Sequence, residues 1–178
     1  TLAICEALEI EEFHMLGHSD GGRTATLVTE AAPSQIQSLT LVNAVGTGET
    51  PTAQYHLASR TVHDVLREKL ELIQEGLRPK DIVLGSLSSL VYDVSHPRRV
   101  ALEYAAIRSS ATWPLLGQIA KEIPVTVLQA RSDALISFED AVSQASAHPS
   151  INFISTEGGH NNYHCHDVQE SIVQGLRT

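Results

Sequence analysis

Ser19 stands in the run Gly17-His18-Ser19-Asp20-Gly21. A serine hydroxyl is a weak nucleophile until a base takes its proton. The Gly-x-Ser-x-Gly spacing has a physical use where a strand turns sharply into a helix. Glycines on either side relieve a crowded backbone, and the turn lifts the hydroxyl above the sheet. The helix N-terminus then brings the main-chain N–H of Asp20, with the helix dipole, beside a developing oxyanion. Two later residues, the acid Asp133 and the histidine His160, supply the residue types that such a set needs. Acyl transfer through such a trio needs no cofactor and no metal.

These residues work only if the fold brings them together, and the surrounding pattern predicts that it does. Phe13 to Leu16 is a short apolar run ending at Gly17 and reads as a buried strand. Asp20 to Ala32 is helix-compatible and stops before Pro33, and Leu39 to Val42 reads as a second strand. Strand, helix and strand in this spacing predict a parallel βαβ unit. Val125 to Leu128 and Ile151 to Ile154 read as two more strands. Asp133 follows the first of these and His160 the second. In an open parallel sheet the C-terminal ends of the strands form the ligand edge. Ser19, Asp133 and His160 all fall just past strand ends.

The stretch between is helical in pattern. Val62, Val65, Leu66, Leu70 and Ile73 make one apolar face, with Gly76 where a C-terminal cap belongs. Ile82, Val83, Leu87, Leu90 and Val94 predict a second helix after Pro79. Val100, Tyr104 and Ile107 predict a third after Pro97. Ser137 through Asp140 carry a capping signature for a helix to about Ala147, and Asp167 with Glu170 predicts a capped final helix. The expected fold is therefore α/β: a parallel sheet of about four strands with a helical insertion. Residues 1–50 hold the first part of the core with the elbow, 51–120 the helical cap, and 121–178 the rest of the core with acid and histidine.

Composition narrows the class. The chain has 178 residues, 42% hydrophobic and 19% charged, which is ordinary for one globular domain. The formal net charge of -9 leaves no surplus of Lys and Arg to neutralise phosphates, so non-specific nucleic-acid binding is not expected. No run of about 18 apolar residues predicts a membrane helix. No signal peptide is visible, and two cysteines, Cys5 and Cys165, cannot make a disulfide-dense scaffold. A reduced, cytoplasmic chain acting on a small molecule is expected.

Each residue has a plainer reading. Ser19 could cap a helix. Asp133 could cap a turn with Ser132, with Glu49 as the rival acid. His160 could be a solvated loop residue. His160-x-x-x-His164, beside Cys165 and His166, has the spacing of two metal ligands on a helix, but neither a zinc-protease Glu nor a Cys-x-x-Cys accompanies it. Trp113 and Tyr104 could line a pocket or fill the core.

The segments His14-Met15-Leu16-Gly17-His18-Ser19-Asp20-Gly21-Gly22, Val127 to Asp133, and Glu157-Gly158-Gly159-His160-Asn161 resemble the α/β-hydrolase superfamily, in its esterase-like branch of valacyclovir-hydrolase-type enzymes. The chain order of nucleophile, acid and histidine is the order this fold uses. The resemblance implies Ser19 as nucleophile, Asp133 as orienting acid, His160 as base and then acid, and residues 51–120 as a cap that shapes substrate choice. It implies a serine hydrolase of small esters, lactones or related acyl compounds. The alternatives are a catalytically silent binding protein of this fold, or a lyase or cofactor-free oxygenase built on it. Members of the family carry further strands ahead of the first helix, with a second oxyanion N–H in a loop among them. This chain opens inside that helix without Met, so it is expected to be the later part of something longer. The strand at Phe13 is then expected to leave an edge open to self-association or to the preceding segment.

Overall fold

The computed structural model describes residues 1–44, 46, 69–70, 72–73, 77–108, 112–133 and 135–176. Helix α1 (Leu2–Ala7) leads into strand β1 (Phe13–His18), helix α2 (Asp20–Ala31) and strand β2 (Ile36–Val42). Helices α3 (Pro79–Ser95), α4 (Pro97–Arg108) and α5 (Trp113–Ile119) precede strand β3 (Val125–Ala130). Helix α6 (Phe138–Ala147), strand β4 (Asn152–Thr156) and helix α7 (His166–Gly175) complete the chain.

The four strands form one parallel sheet in the order β1-β2-β3-β4, so every C-terminal end lies on one edge. Leu39 and Leu41 of β2, with Val125 and Val127 of β3, pack on one face against Ala25 of α2 and Trp113, Leu116 and Ile119 of α5. Val42 and Leu128 pack on the other face against Val168 of α7. The alternation follows from the two-residue period of a strand. β2 and β3 are interior strands, and all six residues of β3 are buried. β1 lies at the edge and pairs, among the described residues, only with β2. Its Leu16 is exposed, as are Ile4 and Leu8 of α1.

Several elements depart from the pattern read in the sequence. β2 begins three residues before Leu39, and β3 runs on through Gln129 to Ala130. Apolar runs stop at polar residues, whereas the backbone ladder continues through them. Gln129 is fully buried and donates to the carboxylate of Asp133 and to the carbonyl of Ile136. The Ser137 cap is present, its hydroxyl accepting from the Asp140 N–H. Asp167 is not a cap: α7 starts one residue earlier, and Cys165 at the cap position makes no side-chain cap bond. Trp113 belongs to the core, where it is 2% exposed and packs with α2. The predicted helix at residues 62–73 falls largely outside the described residues. Glu49, Gly76 and the Tyr104 side chain fall outside them too. Cys5 is buried, and neither cysteine is in a disulfide. Among the described residues no helix is long and apolar enough to cross a membrane.

Candidate active site

Ser19 sits between β1 and α2 with φ 53° and ψ -127°. A side chain rarely adopts this backbone, and it persists only where surrounding structure enforces it. Here the enforcement comes from two sides. The Ser19 N–H extends the sheet by donating to the Val42 carbonyl, and the Ser19 carbonyl accepts from the Gly22 N–H. Ser19 occupies the cap position of α2 but makes no side-chain cap bond. Its hydroxyl is therefore left for another partner.

The glycines around it divide differently from the sequence expectation. A Cβ on Gly17 would lie 2.5 Å from the Gly22 Cα, and one on Gly22 would lie 2.4 Å from the Ala44 Cβ. Strand, helix and the end of β2 thus cross at these two glycines. A Cβ on Gly21 would meet nothing within 4 Å. The crowded pair is Gly17 and Gly22, and Gly21 of the expected pair is not under steric demand. Pattern matching could not see this, because the crowding comes from the crossing of elements distant in sequence.

Asp133 and His160 converge on Ser19. The His160 Nε2 is 2.9 Å from the Ser19 Oγ, and its Nδ1 is 2.9 Å from Asp133 Oδ2. The His160 side chain is 9% exposed and the Asp133 side chain fully buried. Asp133 Oδ1 accepts the main-chain N–H groups of Leu135 and Ile136, and Oδ2 also takes the Gln129 amide. A buried carboxylate needs such donors. With Nδ1–H directed to Asp133, Nε2 is the unprotonated atom that faces the serine. Asp20 opens α2, so its N–H belongs to the first turn and has no intrahelical acceptor.

Both ring nitrogens of His160 are engaged in this chain of contacts. Among the described residues, no cluster of three or more His, Cys, Asp or Glu side chains could hold a metal ion.

Sequence reasoning left two residues in this neighbourhood without a role. His18 Nε2 lies 2.9 Å from the main-chain carbonyl of His160, and Asn43 Nδ2 lies 2.8 Å from the same oxygen. The His18 ring packs 4.5 Å from Tyr163 and 5.0 Å from the His160 ring, centroid to centroid. Burial pushes its pKa down, and the nearby His160 and His164 add to this; the His160 carbonyl and Asp133 pull the other way. Asn43 carried one signal, its place directly after the apolar run ending at Val42.

The family model for the alpha/beta hydrolase fold matches residues 1–89, half of the chain. The chain belongs to the α/β-hydrolase fold family. Solved structures agree at the level of the fold. A serine hydrolase from the polyaromatic-hydrocarbon-degrading Cycloclasticus zankles is 17% identical with a TM-score of 0.68, over 99% of this chain and 67% of that one. The 2-hydroxy-6-oxo-6-phenylhexa-2,4-dienoate hydrolase of a Rhodococcus species is 15% identical with a TM-score of 0.67, over 99% and 68%. The enol-lactonase of Burkholderia xenovorans is 14% identical with a TM-score of 0.60, over 99% and 70%. The chain thus spans about two thirds of the length of these hydrolases. A stretch of 54 residues is 39% identical to the dihydrolipoyllysine-residue acetyltransferase component of the acetoin cleaving system of Pseudomonas putida, covering 30% of this chain and 15% of that protein. These matches place this chain in the superfamily without selecting the valacyclovir-hydrolase-type branch.

Proposed function

We propose that this chain carries a Ser-His-Asp hydrolase site for small esters, lactones or related acyl compounds. The observation that carries the reading is the continuous hydrogen-bonded line Ser19 Oγ, His160, Asp133 at the C-terminal edge of a parallel sheet. His160 Nε2 takes the serine proton as Oγ attacks the acyl carbonyl, and the Asp20 N–H receives the oxyanion. His160 then gives that proton to the leaving alkoxide, which departs and leaves the acyl group on Ser19. A water enters, loses a proton to His160 and attacks the ester. The acyl–Oγ bond breaks as His160 returns that proton to Oγ, so serine is regenerated and the acid released. Asp133 stays ionised throughout and stabilises the imidazolium. Within residues 51–120, expected to be the cap, α3 and α4 are the part that would shape substrate choice, while α5 packs in the core. The site requires no cofactor, and a cytoplasmic setting fits the two thiols.

One observation favours a second reading, a catalytically silent binding protein. β1 is an edge strand, and only the Asp20 N–H is identified as an oxyanion donor among the described residues. A site working with a single such donor is slower by on the order of a hundredfold or more. In that reading the open edge takes a second copy or a further segment of the protein.

A fluorophosphonate probe decides between them. Labelling of the folded wild-type protein, abolished in Ser19→Ala, with turnover of short-chain p-nitrophenyl esters, supports the hydrolase. A folded wild type that neither labels nor turns over removes it. A non-hydrolytic product formed at an intact Ser19 would select a lyase or oxygenase.

A further inference from the structure

The 2.9 Å contacts on both ring nitrogens of His160 require its backbone to be placed closely, yet His160 belongs to neither a helix nor a strand. It follows Gly158, whose φ is 95°, and Gly159. Glycines in such a loop leave its path permissive. Something else must hold it.

We propose that His18 and Asn43 are positioning residues for the base: together they hold the main-chain carbonyl of His160, and through it the imidazole between Ser19 and Asp133. The proposal rests on the hydrolase reading above. A carbonyl oxygen has two lone pairs, and two N–H donors meet this one, His18 Nε2 at 2.9 Å and Asn43 Nδ2 at 2.8 Å. Neither donor belongs to the histidine loop. His18 ends β1 and is the residue before the nucleophile. Asn43 follows β2 and is fully buried at φ 45°, a left-handed backbone that Asn tolerates better than most residues.

Asn43 also reaches the acid's strand. Its Oδ1 accepts the N–H of Ala130, the last residue of β3, three positions before Asp133. Its Nδ2 is shared with Asn162 Oδ1 at 2.9 Å, and the Asn162 amide donates to Thr156 Oγ1 and to the Glu157 carbonyl. One buried side chain therefore ties together the ends of β2 and β3 and the loop that bears the base. To donate from Nε2, His18 must carry its proton there. Burial keeps the ring neutral, so no fixed positive charge stands 5.0 Å from the imidazole that has to accept the serine's proton. A misplacement of about 1 Å at such a site can cost on the order of a hundredfold.

The test separates the hydrogen bond from the packing of the ring. His18→Phe keeps an aromatic ring against Tyr163 and has no donor; His18→Gln keeps an N–H donor and has no ring. The rate of fluorophosphonate labelling of Ser19, with kcat and KM on p-nitrophenyl acetate, is read for both. The expected result is a fall of about ten- to a hundredfold in labelling rate and kcat for His18→Phe at unchanged KM, with most of the rate restored in His18→Gln. Wild-type rates in His18→Phe, or equal losses in the two variants, overturn the proposal.

A wild type that does not label would end the hydrolase reading instead. The positioning is then read by proton NMR, from the downfield imidazole N–H of His160, identified by its loss in His160→Gln. It is expected in wild type and His18→Gln and absent from His18→Phe. Its persistence in His18→Phe, or its absence from wild type, overturns the proposal.

Discussion

The imidazole Nε2 of His160 stands 2.9 Å from Oγ of Ser19, a residue 141 positions earlier in the chain. Because Ser19 makes no cap bond to α2, its strained backbone is not explained by capping. Strain at that position is expected to be separable from chemistry. A residue held in a sparsely populated region costs on the order of 1–3 kcal/mol. Ser19→Gly and Ser19→Ala should both abolish phosphonate labelling. Ser19→Gly should be the more stable of the two by about 1 kcal/mol in urea unfolding, since glycine adopts this backbone without penalty. Equal midpoints would show that the elbow stores no strain.

Asp133→Asn tests the orientation of the base. The main-chain bonds from Leu135 and Ile136 to Oδ1 can survive the change, so the fold should hold. The amide would favour the wrong imidazole tautomer, and kcat for ester hydrolysis should fall by roughly a thousandfold or more. Circular dichroism checks the fold and stopped-flow labelling the rate. A loss below about tenfold would return the acid's role to Glu49 or another carboxylate.

The crossing glycines give a stability prediction. Gly22→Ala drives a methyl against Ala44, and overpacking of this kind costs about 1–3 kcal/mol. Gly21→Ala meets nothing and lies in a helix, where alanine is favoured by up to about 1 kcal/mol. Thermal unfolding should place Gly21→Ala at or above wild type and Gly22→Ala several degrees below. The reverse order would contradict the packing described.

Acid should destabilise the fold through His18 and His164, both pushed down by burial from their ordinary 6.5. Below that value the unfolded chain binds protons that the folded chain refuses until its own lower pKa is reached. Stability is thus flat above the unfolded value and falls as pH drops beneath it. The groups facing His18 are His160, Asp133 and His164, with the Tyr163 ring against it. His18→Gln should flatten part of the slope measured by thermal denaturation as pH falls below 6.5. An unchanged slope would mean His18 is not titrating there.

Much of this was legible in the chain alone. Apolar runs at Phe13, Leu39, Val125 and Ile151, punctuated by Gly and Pro, marked four strands; burial on both faces accounts for β3 and most of β2, whereas β1, read as buried, lies at the edge with Leu16 exposed. The residues following three of those strands named Ser19, Asp133 and His160 as a set, since a parallel sheet brings all its C-terminal ends to one edge. Tertiary structure decided what local pattern cannot encode. It showed that the cramped glycine is Gly22 and not Gly21, because the clash is with Ala44, two residues past β2. It settled Trp113 in the core, the plainer of its two readings, because α5 lies against α2. And it gave His18 and Asn43 a common target in the His160 carbonyl, 142 and 117 residues away. Periodicity and spacing report on neighbours along the chain. A hydrogen bond across the sheet's edge depends on where three strands end in space, and only the folded chain sets that.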